Sequence, residues 1–133
     1  ALDRLKHLLT EWEVEDALLA AGASSLLAIG PGEWPVDLAG DAESRRIVLC
    51  NHALSASGTG IQGSHIVHPY GDEAMPSEPC KRVWVTAPSA ALAEVWSTAL
   101  MLVSANEIPA LIAGEPEITG VTADVGGRLR IIR

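Results

Sequence analysis

The chain has 133 residues, enough for one domain and too few for two. With 48% hydrophobic residues and a mean hydropathy of +0.24, it is too apolar to be a disordered segment. Nine Lys and Arg, scattered along the chain against 17 Asp and Glu, leave a net charge of −8. That balance excludes nucleic-acid binding through phosphates and docking on an anionic membrane surface.

The apolar content exceeds what a domain of this size easily hides, since a chain this long buries only roughly two-thirds of its unfolded surface. Some apolar surface is therefore expected to meet another subunit, another segment or a ligand. The chain opens inside a helical pattern, without an initiator Met, and is expected to be the cut end of a longer protein. Cys50 and Cys80 form no CxxC pair, so neither a zinc site nor a disulfide framework is indicated, and both are expected to be buried small hydrophobes.

Leu2, Leu5, Leu8, Leu9 and Trp12 recur at helical spacing and predict an amphipathic helix to about Trp12. Two short strands follow, Ala17 to Ala20 and Ser25 to Ile29, paired through Gly22. Trp34 to Leu38 and Arg45 to Cys50 read as two more, with Gly40 and Asp41 in the turn. Leu54 to Ser64, small, polar and glycine-rich, reads as a loop with at most a short strand at its start. His65 to His68 is expected to be extended, Tyr70 to Pro79 a loop, and Arg82 to Ala87 a strand. Pro88 and Ser89 start the longest helix, expected to run to about Ser104, because Pro fits a first turn and Ser caps exposed N–H groups. A short helix from Glu107 to Ala113 follows. Ile118 to Ala123 and Arg128 to Ile132 flank Gly126-Gly127 as a hairpin. The order predicts an α+β fold: a mixed, largely antiparallel sheet with a long buried helix and shorter helices packed on it.

Ala87 to Ala105 is apolar enough to imitate a membrane span, but Glu94 sits in its middle, and a charge at the bilayer centre costs about 2.5–3.5 kcal/mol. Gly58 to Gly63 matches GxGxxG, yet an extended segment and Pro69 follow where a dinucleotide fold needs a helix. A loop whose bare backbone approaches a phosphate or flavin remains open. His65 and His68 are three apart on an extended run and point to opposite sides, which disfavours a shared metal. One of them could serve as a general base. Ser55 and Ser57 lack the GxSxG elbow of a serine hydrolase. Glu94 and Thr98, four apart on the long helix, face one way among apolar neighbours. A carboxylate so placed is expected to be paired, protonated or bound to a cation, and carboxylate plus hydroxyl suits Mg²⁺ or Ca²⁺. The bland alternative puts Glu94 on a thin solvated stripe.

The order of motifs is more specific than any one of them. Leu54-Ser55-Ala56-Ser57-Gly58, His65-Ile66-Val67-His68-Pro69, Val85-Thr86-Ala87-Pro88 and Ala93-Glu94-Val95-Trp96-Ser97-Thr98-Ala99-Leu100 follow one another. This series resembles STSG, HIIDPRTG, VxAP and ADALSTAL in the C-terminal half of the FAD:protein FMN transferases, the ApbE-like family. The opening Ala1-Leu2-Asp3-Arg4 resembles its AVDR stretch, and Ala20 to Ser25 its glycine turn.

The resemblance implies an ApbE (T-fold-like) half fold and an enzyme that takes FAD, releases AMP and attaches FMN to a Ser or Thr hydroxyl of an acceptor protein, with Mg²⁺ on the pyrophosphate. It implies metal ligation by Glu94 and Thr98, proton abstraction by His65, and cofactor contacts from Ser57, Gly58, Thr59, Gly22 and Asp3. It further implies that residues 1–133 are one domain, the C-terminal portion of a transferase whose N-terminal half, or a homo-oligomer partner, completes the flavin pocket. Three departures stand out. The family's Asp is Glu94, its DPRTG reads His68-Pro69-Tyr70-Gly71-Asp72, and its turn lacks a second Gly and an acid at Gly22-Ala23-Ser24. These departures keep open an alternative, a non-catalytic flavin-binding or dimerisation domain of the same fold.

Overall fold

A computed structural model of the protein describes residues 1–60 and 66–133. Helix α1 spans Leu2–Glu11. Strands β1 (Ala17–Ala21), β2 (Ser25–Ile29), β3 (Trp34–Ala39), β4 (Ser44–Leu49), β5 (Ala53–Gly58) and β6 (Arg82–Ala87) follow. Helices α2 (Ala90–Ala99) and α3 (Ile108–Ile112) precede the last strands, β7 (Gly120–Val125) and β8 (Arg128–Ile131). Six strands form one antiparallel sheet in the order β1-β2-β5-β6-β7-β8, and β3 and β4 form a separate hairpin. The expected α+β class and largely antiparallel sheet are what the chain adopts.

Three layers result. On β6, Val83, Val85 and Ala87 face the helices while Trp84 faces the β3–β4 hairpin, following the period-two alternation of strand side chains. The helix side holds one cluster of Cys80, Val83, Val85, Leu100, Met101, Ile108, Ile112 and Val121. A smaller one joins Leu2 of α1 to Leu27, Ala53, Ala90 and Ala93. The hairpin side holds Ala28, Leu38, Leu49, Leu54 and Trp84. The β7–β8 turn places Gly126 and Gly127 at φ +59° and +88°, the double left-handed conformation that a two-residue hairpin turn needs.

One expectation is extended and three are corrected. The short strand allowed at the start of the glycine-rich loop is the six-residue β5, paired to β2 on one side and β6 on the other. Its Ala-Leu-Ser-Ala-Ser-Gly run has weak intrinsic strand preference, and two neighbouring ladders supply what propensity lacks. The long helix ends at Ala99 rather than Ser104. There Leu100–Leu102 tightens into a 3-10 turn as Leu100 and Met101 enter the core, and Val103 is extended. That helix is not buried all round: Ala90, Ala93 and Ser97 are covered, whereas Val95 is 65% exposed. Cys80 is buried, which raises its thiol pKa, but Cys50 is exposed. Among the described residues no helix is long and apolar enough to cross a membrane. The segment after Ile66 is irregular, and Ile61 to His65 lie outside the described residues.

One buried acid fastens the hairpin to the sheet. Asp124, 1% exposed, accepts the Asp41 N–H on Oδ2 at 2.9 Å and the Gly127 N–H on Oδ1 at 3.0 Å. At the surface nearby, Lys81 Nζ donates to Asp41 Oδ2 at 2.6 Å. Truncation by Asp124→Ala leaves two backbone donors without their charged acceptor and is expected to cost about 3 kcal/mol, read as a fall in urea midpoint at unchanged slope. The Lys81 hydrogen bond and charge hold the Asp41 carboxyl below the ordinary aspartate range, and Asp41 in turn raises Lys81. The depressed acid contributes stability that is present above its unfolded pKa and lost as pH falls through its folded one. The raised base loses its share only as pH climbs through the folded lysine value. The stability gap between wild type and Lys81→Met is therefore expected to be flat at neutral pH and to close in acid. A gap that persists in acid removes the ion pair from the account.

Candidate functional site

The site begins with a difference in strand length. Register pairs Ser25 with Ser55, so β2 stops where β5 continues to Ser57 and Gly58, which are held on the other side by Val83 and Arg82 of β6. The three-residue turn Gly22-Ala23-Ser24, with Gly22 at φ +61°, closes the short side, and Ala56 N–H donates to Ser24 O at 2.8 Å. Beyond that turn the overhang of β5 borders an open groove of about 500 Å³. Glu94 and Thr98 of α2 line it from the helix side of the sheet, and Asp37 and Ala39 of β3, with Arg82 and Trp84 of β6, from the hairpin side.

Small side chains set α2 against β5. Ser57 Oγ lies 2.9 Å from Thr98 Oγ1 and 3.0 Å from Ser97 Oγ. Ser97 Oγ in turn donates to Glu94 O at 3.0 Å and lies 3.4 Å from Ser55 Oγ. The result is a ladder of four hydroxyls running from the buried Ser55 and Ser97 to the groove, where polar groups between strand and helix satisfy one another.

Glu94, Thr98, Ser57, Gly58 and Gly22 are thus brought together on one groove. Thr59 is exposed just past it, its N–H donating to Lys81 O at 3.2 Å. Asp3 is elsewhere: its carboxylate accepts Ala90 N–H on Oδ1 and Ala91 N–H on Oδ2, each at 2.8 Å. With Ser89 Oγ accepting from Leu92 N–H at 3.2 Å, it caps the start of α2 and fixes the helix that carries Glu94 and Thr98. His65 lies outside the described residues.

Exposure decides the reading of Glu94. The apolar neighbours on α2 point to a carboxylate that is paired, protonated or bound to a cation, but Glu94 is exposed, as is Thr98, so the alternative of a solvated stripe is the one the helix adopts. The outward apolar residues of α2 are themselves in contact with solvent, so burial does not oblige Glu94 to find a cation. What it keeps is position, with a hydroxyl one helical turn away on the groove side. Among the described residues no group of three or more His, Cys, Asp or Glu side chains converges as a metal cage. A carboxylate and a hydroxyl still fit Mg²⁺, which takes one or two protein oxygens and leaves its other positions to water and phosphate.

Two groove residues were not singled out from sequence. Asp37 is hydrogen-bonded to Arg46 by both oxygens, at 2.8 and 2.9 Å, and this holds its carboxyl below the ordinary range. Arg82 stacks over Trp84 at 5.6 Å and donates from Nη1 to Ala39 O at 2.6 Å. Neither belongs to a local motif, since the groove joins strands far apart in the chain.

No curated protein matches the chain. Several solved structures share its fold, two of which are ApbE proteins of bacteria. The apo flavinyl transferase ApbE of Pseudomonas stutzeri superposes with a TM-score of 0.78 at 20% identity, over 97% of this chain and 44% of that one. The ApbE protein of Thermotoga maritima gives 0.77 at 21%, over 98% and 47%. The chain therefore spans less than half the length of either. The model of the ApbE family matches residues 1–122, nearly the whole sequence, and the chain belongs to the ApbE family.

Proposed function

We propose that this chain is the C-terminal portion of an FMN transferase that moves FMN from FAD to a Ser or Thr hydroxyl of an acceptor protein. The observation that carries the reading is the convergence of Glu94 and Thr98 with Ser57 and Gly58 on one open groove, in a chain of this family. The acceptor oxygen attacks the FMN phosphorus, the P–O bond to the AMP phosphate breaks, and AMP departs with the electron pair. The acceptor's proton passes to a base, the role assigned to His65. Mg²⁺ held by the Glu94 carboxylate and the Thr98 hydroxyl would offset the charge that develops on the phosphates.

The chain's own residues do the positioning. Ser57 Oγ, 2.9 Å from Thr98 Oγ1, holds that hydroxyl beside the groove, and the double cap of Asp3 and Ser89 sets the direction of α2. Gly58 and Gly22 line the groove without side chains, which would let a phosphate or flavin come close to the backbone there. Residues outside 1–133, in the rest of the chain or in a second copy, would complete the pocket on its open side.

Intact-mass measurement tests the reading directly. The full-length protein, incubated with FAD, Mg²⁺ and an acceptor domain, is expected to raise the acceptor mass by one FMN group, and chelation is expected to abolish the gain. An unchanged acceptor mass sinks the transferase; FAD binding without transfer would favour a flavin-binding domain, for which the replacement of DPRTG by His68-Pro69-Tyr70-Gly71-Asp72 speaks. Glu94→Gln and Thr98→Ala are each expected to lower Mg²⁺-dependent FAD affinity about tenfold while leaving metal-free binding unchanged. Equal affinities with and without metal in both variants and the wild type would remove the metal from this helix.

A further inference from the structure

Arg82 stands at the first position of β6, paired in register with Gly58 at the last of β5. It is the one cation among the described residues that line the groove. Its two contacts orient the guanidinium without neutralising it. Ala39 O is a neutral carbonyl, and the Trp84 ring offers only the negative face of its quadrupole. The other cations nearby are already engaged with carboxylates, Arg46 with Asp37 and Lys81 with Asp41. Among the described residues Arg82 has no carboxylate within ion-pair distance.

The glycines beside it fit the same picture. A Cβ on Gly58 would lie 3.1 Å from Arg82 Cγ and 2.9 Å from Lys81 O, and one on Gly60 would lie 3.0 Å from Arg82 Nη2. A side chain at Gly58 would crowd the Arg82 stem and one at Gly60 its guanidinium; hydrogen at both leaves the arginine its place beside the groove.

We infer that Arg82 is a phosphate-binding residue of this groove, donating to a diphosphate oxygen of the flavin nucleotide from the side opposite Glu94; this rests on the flavin reading above. A chain of net charge −8 repels a polyanion at long range, so affinity for a diphosphate must come from local charge. An arginine held by a carbonyl and an aromatic face keeps its full charge, and its planar fork matches phosphate oxygens two at a time.

The test titrates the full-length protein, with Mg²⁺ present, against FAD, riboflavin and inorganic pyrophosphate. Arg82→Gln is expected to weaken FAD and pyrophosphate by about tenfold or more and to leave riboflavin unchanged, with Arg82→Lys recovering part of the loss. If Arg82→Gln binds FAD as tightly as wild type, the inference is overturned and the flavin reading stands. If riboflavin weakens as much as FAD, Arg82 acts on the fold rather than on phosphate, and the inference is again overturned. If wild type binds pyrophosphate through Arg82 but not FAD, the anion role stands and the flavin reading fails. If wild type binds none of the three, both fall.

Discussion

Helix α2 lies on β5 through small side chains on both surfaces, Ala93 and Ser97 of the helix against Ala53, Ser55 and Ser57 of the strand. Serine at three of these positions does two jobs. It permits close approach, and it gives each hydroxyl another hydroxyl or the Glu94 carbonyl as partner, so that no buried oxygen is stranded. A leucine at position 55 or 97 would overfill this layer, at a typical cost of about 1–3 kcal/mol, and would lift the helix away from the strand. Because Glu94 and Thr98 ride on the edge of the same helix, their place over the groove depends on that contact, and so does everything read from them.

The opposite wall depends on a separate fastening. The β3–β4 hairpin packs Leu38 and Leu49 over Trp84, but apolar contact alone does not fix where a two-stranded ribbon sits along a sheet. Asp124 supplies the fixed point by accepting the turn N–H of Asp41, and Arg82 supplies another by donating to Ala39 O. The groove is thus bounded by one element held through hydroxyls and another held through charge-assisted bonds. It opens beside the part of β5 that outruns β2, a property of register rather than of any single residue.

Much of this was legible in the sequence, where local pattern and final environment agree. The Gly126-Gly127 hairpin, the Ser89 cap and the alternation of Val83, Trp84 and Val85 are local features, and each appears as expected. The full length of β5 was illegible because Ala, Ser and Gly are poor strand formers, and only pairing with β2 and β6 makes them one. The end of α2 was illegible for a related reason: the apolar run continues to Val103, but Leu100 and Met101 leave the helix to fill the core. For Glu94 the sequence leaves two readings, covered or on a solvated stripe, and the second holds because apolar neighbours on a helix do not by themselves make it a covered one. The hydropathic excess that made the first plausible sits in the open, on Val95 of α2 and on Leu5, Leu8 and Trp12 of α1. Asp37 and Arg82 could not be found by motif at all, since strand pairing alone carries them to the groove.

The exposure of Glu94 changes what the proposed chemistry asks of it. A carboxylate sealed in a core would need its counter-ion at all times to offset desolvation. An exposed one has no such need, and among the described residues the Glu94 side chain makes no hydrogen bond that would hold it in one rotamer. Two protein oxygens cannot fill an octahedral shell, so a bound Mg²⁺ would draw its other ligands from water and from the phosphates themselves. In the proposed chemistry, metal and nucleotide would then support one another, each supplying ligands or charge that the other lacks. The extra methylene of Glu over Asp then becomes a difference in reach, which a mobile side chain can absorb where a packed one could not.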